Sequence, residues 1–121
     1  MADATAVFFD ELARQGRVPL LHDAVGAMRF ELVSNSGVEF WRVDLHHGDV
    51  SVSQDDRAAD CVVRGDKALF DRIAGGEVNA MAALLRGALT FQGDPELLVR
   101  LQRVFPSPPA RVGGSGGAVS P

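Results

Sequence analysis

The residues of this chain that could act chemically on a substrate are few, and their spacing does not suit the task. His46 and His47, followed by Asp49, form the one conspicuous titratable cluster. A metal ion needs its imidazoles to converge, whereas neighbouring side chains of an extended segment leave on opposite faces, so no metal site is assigned. Cys61 is the only cysteine; it alternates with Val62 and Val63 and has no histidine close to it in sequence. It reads as a small buried thiol, because a nucleophilic cysteine needs a base or a cation to hold it as the thiolate. One cysteine also forms no intramolecular disulfide and no zinc-ligand pattern, which makes a reducing cytoplasm the expected compartment. Asp55, Asp56 and Asp60 fall in a polar stretch and read as a solvated acidic turn. No G-x-S-x-G elbow occurs. No catalytic residue, metal or cofactor is assigned, and the chain is expected to be no enzyme.

What remains is the chemistry of apolar surface. Of 121 residues, 46% are hydrophobic and 23% charged, enough to pack one core and too little for two. Twelve Lys+Arg stand against sixteen Asp+Glu, a formal net charge of -4 that argues against nucleic acid as a partner. The close basic pairs Arg14/Arg17 and Arg100/Arg103 allow at most a transient membrane contact. The first residues carry acids where a leader would carry a basic region, no apolar window is long enough to span a bilayer, and the AVSP ending is no peroxisomal address.

The elements that position the apolar residues follow from period and punctuation. Phe8, Phe9 and Leu12 recur at helical spacing between Asp3 or Thr5 as a cap and Gly16 as a stop. Met28, Phe30 and Leu32 then alternate with Arg29, Glu31 and Val33. Asn35-Ser36-Gly37 supplies a turn, and Trp41, Val43 and Leu45 share one face of the next strand. His47-Gly48-Asp49 is a second turn, Val50 to Ser53 a third strand and Asp60 to Gly65 a fourth, which short connections predict to be an antiparallel meander. Asp66 is expected to cap a helix bearing Leu69, Phe70 and Ile73, and Asn79 a second bearing Met81, Leu84 and Leu85. Leu89 and Phe91 mark a fifth strand, and Asp94-Pro95-Glu96 opens a last helix with Leu97, Leu98, Leu101, Val104 and Phe105. Residues 1–105 read as one domain, and the Gly/Pro/Ser-rich residues 106–121 as a disordered tail whose GGSGG lacks the flanking strand and helix of a phosphate loop.

Three stretches in this order resemble the sterol carrier protein, or SCP2-like non-specific lipid-transfer, family: WRVDLHHGDV (41–50), ADCVVRGDKALFDRIAGG (59–76) and GGEVNAMAALLRGALTFQGD (75–94). In the last, Gly76, Asn79, Met81, Gly87, Leu89, Gly93 and Asp94 stand at family-like spacing. The resemblance implies an α+β fold, a five-stranded mainly antiparallel sheet covered by helices, with an apolar tunnel for a sterol, fatty acid, acyl-CoA or phospholipid. Glu77 and Ala88 stand where many relatives carry lysine, which weakens the case for docking on anionic membranes.

A tunnel between sheet and helices would be walled by the apolar sides of both. The expected lining is Phe30, Leu32, Trp41, Val43, Leu45, Leu89 and Phe91 from the strands. From the helices it is Phe70, Ile73, Met81, Leu84, Leu85, Leu98, Leu101 and Phe105. Trp41 is expected to anchor the core with its N–H on a backbone carbonyl. The function expected is a cytoplasmic lipid-binding carrier. The alternative is a non-enzymatic interaction or oligomerisation module with a filled core, whose surface would be Phe8, Phe9 and Leu12. A helix starting almost at Met1 leaves no room upstream for a catalytic domain and favours the carrier; no residue pattern sets an oligomeric state.

Overall fold

The structure, a computed structural model, describes residues 3–106; the expected tail lies outside them apart from Pro106. The first helix, α1 (Ala4–Gln15), starts where the Asp3 carboxylate accepts the N–H groups of Thr5 and Ala6, and it stops at Gly16 in the left-handed conformation, φ 66. A 3-10 turn at Pro19–Leu21 leads into β1 (Val25–Ser34), β2 (Gly37–His46) and β3 (Asp49–Ser53). Then come β4 (Cys61–Asp66), α2 (Lys67–Ala74), α3 (Ala80–Leu85), β5 (Leu89–Gly93) and α4 (Pro95–Leu101), closed by a 3-10 turn at Gln102–Val104.

The strands form one mixed sheet in the order β3-β2-β1-β4-β5. The expected meander holds only for the first three. β4 does not pair with β3 but crosses to the far edge of β1 and runs parallel to it, Met28 opposite Cys61 and Phe30 opposite Val63. Polar groups on the outer face hold this crossover. Arg29 Nη1 donates to the carbonyls of Asp56 and Arg57 at 2.9 and 3.1 Å, and Arg42 Nη1 to that of Ala58 at 2.6 Å. Asp60 is no free acidic turn: its carboxylate accepts the Ala27 N–H at 2.8 Å, its own N–H donates to the Ala27 carbonyl and its carbonyl accepts from Asp94.

Strand alternation places Phe30, Leu32, Trp41, Val43, Leu45 and Val63 on the inner face, all buried, with Phe9, Phe70, Ile73, Leu98 and Leu101 packed on them from the helical layer. Phe9 stacks on Trp41 at 4.7 Å and on Phe70 at 5.8 Å between ring centroids, and lies 5.2 Å from Phe30. Aromatic rings pack between sheet and helices, and no tunnel is seen there among the described residues. Such stacking adds about 0.5–1.5 kcal/mol per pair to the gain from burial.

A candidate lipid site beside the first helix

The first helix carries two apolar stripes. Thr5, Phe9 and Leu12 face the core and are buried. At about 100° per residue, Ala4, Val7, Phe8, Glu11 and Gln15 centre about a third of a turn away. This second stripe, with Leu12 and Val18, Ala74 and Gly75 at the end of α2, and Val104, lines a groove of about 510 Å³ that is open to solvent. Its size is that of a small-molecule site, and its walls are apolar apart from Glu11 and Gln15.

The floor of the groove reaches the aromatic core through Phe8. Its ring stacks on Phe105 at 4.9 Å and meets Phe9 edge-on at 5.2 Å, while Phe70 lies 6.4 Å away. Near the Ala4 end the helices are joined by a polar knot. The hydroxyl of the fully buried Thr5 donates to Asp71 at 2.6 Å, and Lys67 bridges Asp71 at 3.0 Å and Asp3 at 2.8 Å. Burial pushes the Asp71 carboxyl up, but hydrogen bonds from Thr5 and Lys67 outweigh it and hold the group below its ordinary value. At the mouth, Arg14 pairs with Glu11, and that hydrogen bond lowers the Glu11 carboxyl.

The lining expected from sequence lies elsewhere. Phe30, Leu32, Trp41, Val43, Leu45, Phe70, Ile73, Leu89, Leu98 and Leu101 are buried in the core, and Phe105 packs against it half-buried. On α3 it is Ala80 and Ala83 that face inward; Met81 and Leu84 are half-buried, and Leu85 is 84% exposed. Phe91 shares the inner face with Val63 by register but sits on the edge strand, 41% exposed. None of these residues lines the groove, and of the surface imagined for a partner only Phe8 and Leu12 do. Val7, Val18, Ala74 and Val104 carried no sequence signal of a site, since each belongs to a different segment. The Trp41 N–H donates to the Glu39 carboxylate at 2.5 Å and not to a backbone carbonyl, because residues two apart on a strand share a face.

The two histidine rings also depart from expectation. His47 sits in the turn with φ 49, outside strand alternation, so its ring meets that of His46 at 4.8 Å. No third ligand joins them: among the described residues no group of three metal-ligating side chains exists. Cys61 is buried, and desolvation, with the charges of Asp94 and Asp60, pushes its thiol up to about 11. No helix among those described is long and apolar enough to cross a membrane.

An aromatic core between helices and a five-stranded sheet of this order defines a small α+β domain, with an apolar groove beside α1. The SCP-2 sterol transfer family model matches residues 9–106, and the chain belongs to that family. No curated protein matches the sequence. Among solved structures, sterol carrier protein 2 like 2 from Aedes aegypti is 25% identical, with 84% of this chain and 95% of that chain covered at a TM-score of 0.65. The Aedes aegypti sterol carrier protein-2 complexed with palmitate is 19% identical, with 85% and 94% covered at a TM-score of 0.67. A sec-alkylsulfatase from Pseudomonas sp. is 20% identical; the match spans 83% of this chain but 16% of that one, at a TM-score of 0.64.

Proposed function

We propose that this domain is a non-enzymatic lipid carrier that takes the hydrocarbon of a sterol, fatty acid or fatty acyl-CoA into the groove beside α1. The observation that carries the reading is the second apolar stripe of α1, which leaves Val7 53% exposed over a concave apolar surface. Family membership and the palmitate held by the Aedes aegypti relative support it. Removing a hydrocarbon chain from water yields about 25 cal/mol per Å², so such a site works without specific polar contacts and admits several lipids. Phe8, the one aromatic residue of its lining, would join the site to the core rings of Phe105 and Phe70 behind it. The aromatic packing between sheet and helices, and the occurrence of the fold as a small part of a sulfatase chain, favour the second reading of an interaction module.

Titration of delipidated protein with a fluorescent fatty-acyl probe decides between them. The carrier reading expects saturable one-to-one binding, displaced by sterol, fatty acid or acyl-CoA and lost in Val7→Asp. A folded protein with no saturable binding would leave the interaction module.

A further inference from the structure

The charges around the groove are distributed unevenly, and this bears on which lipid head group it takes. Glu11 is the one ionisable residue in the lining, and the other polar one, Gln15, is neutral. The basic side chains of α1, of α2 and beside Val18 and Val104 are all engaged with acids. Arg14 holds both oxygens of Glu11 at 2.5 Å, and Arg17 reaches Asp49 at 2.9 Å. Lys67 lies between Asp3 and Asp71, Arg72 reaches Glu77 at 3.8 Å and Arg103 reaches Asp23 at 3.5 Å. Glu77 also extends toward Gly75, its Oε2 within 4.0 Å of where a side chain would begin. A lipid carboxylate at this mouth meets the Glu11 carboxylate, its charge offset by Arg14, and no unpaired cation among the described residues. A hydroxyl meets an acceptor, because a carboxylate offers about four lone-pair sites and the guanidinium takes only some of them.

We infer that Glu11 is a specificity residue of the groove, favouring lipids whose polar end is a neutral hydrogen-bond donor such as a hydroxyl over lipids ending in a carboxylate. This rests on the carrier reading above. The Arg14 hydrogen bond keeps Glu11 ionised below its ordinary range, so the selection holds across neutral and mildly acidic pH. The pair is solvent-exposed, 75% for Arg14 and 50% for Glu11, so screening limits the effect. Two like charges about 4–6 Å apart under such screening correspond to a change of about three- to tenfold in affinity.

The test measures hexadecanol and palmitate by displacement of an uncharged pyrene-labelled alcohol from delipidated wild type, Glu11→Gln and Glu11→Lys. Comparing the ratio of the two affinities between variants cancels the different water solubility of the lipids. Relative to wild type, Glu11→Gln is expected to shift the ratio toward palmitate by about three- to tenfold and Glu11→Lys further, with hexadecanol affinity nearly constant. Raising the salt concentration should narrow the differences. All side chains involved are exposed, and circular dichroism verifies that each variant is folded. A ratio unmoved by both substitutions, or moved toward hexadecanol, overturns the inference while leaving the carrier reading intact. Failure of wild-type protein to bind probe, alcohol or acid overturns both.

Discussion

Cys61 opens β4 with its side chain fully buried, and a thiol pushed up to about 11 holds only about one part in a thousand as thiolate at pH 8. Iodoacetamide at pH 8 should therefore label the native protein far more slowly than the urea-unfolded chain; equal rates would contradict the buried placement. The Thr5–Asp71–Lys67 knot makes a second residue-scale prediction. A carboxyl held below its ordinary value stabilises the fold at any pH above that value, about 3.9, and the contribution disappears as pH falls through the lower folded value. Lys67, raised by its bonds to Asp3 and Asp71 against the opposing effect of burial, keeps its contribution until pH climbs past its ordinary value, about 10.4. Asp71→Asn should cost about 1 kcal/mol in urea unfolding at pH 7, modest because the side chain is 35% exposed, and the cost should shrink as pH is lowered below 4. Inner-face strand residues such as Phe30 and Val43 were legible from alternation alone. Leu85 and Phe91 were not, since period says which residues share a face and not how far the opposing layer extends. In the six-residue α3, the small Ala80 and Ala83 are the inward residues, a choice that ranking by hydrophobicity reverses.

At the scale of elements, the order of helices and strands was readable because caps and glycines punctuate it, as with Asn79, whose side chain accepts the Ala82 N–H at 2.9 Å. The pairing of β4 was not. Alternating Cys61, Val62 and Val63 fit a parallel neighbour as well as an antiparallel one, and the choice rests on Asp60, which joins the crossover to β1 and to the start of α4 through bonds far apart in sequence. Gly93 lies directly against this junction. Its φ is 103, and a Cβ there would stand 2.1 Å from the Asp60 carbonyl oxygen, a backbone atom that cannot yield without moving the crossover. Gly37 shares the positive φ, at 125, yet nothing lies within 4 Å of its missing side chain. Gly93→Ala is expected to destabilise by at least about 2 kcal/mol more than Gly37→Ala, the excess measuring the clash and not the backbone strain common to both. Equal costs in urea unfolding would show that the junction is not tightly packed.

At the scale of the whole molecule, the groove exists only where segments remote in sequence converge: one flank of α1, Val18, the end of α2 and Val104. No local pattern announces such a site. Phe8 was legible as an apolar helix residue, but its neighbour Val7, 53% exposed, carried no signal of its own. That exposure makes Val7 the sharpest probe of the carrier function, because substituting it disturbs little else. A ligand that binds only the folded state at about a hundred times its dissociation constant adds about 2.7 kcal/mol of stability, or roughly 10–20 °C in melting temperature for a domain of this size. In Val7→Asp the lipid would have to cover a carboxylate, so the ligand-induced rise should vanish while the lipid-free melting temperature stays near that of the wild type. Leu85→Asp places the same charge on the exposed end of α3, outside the groove, and should keep the full rise. If both variants retain the rise, lipid enters elsewhere. If only Leu85→Asp abolishes it, the entrance lies beside α3 and Phe91, and the packed interior must open to admit the chain.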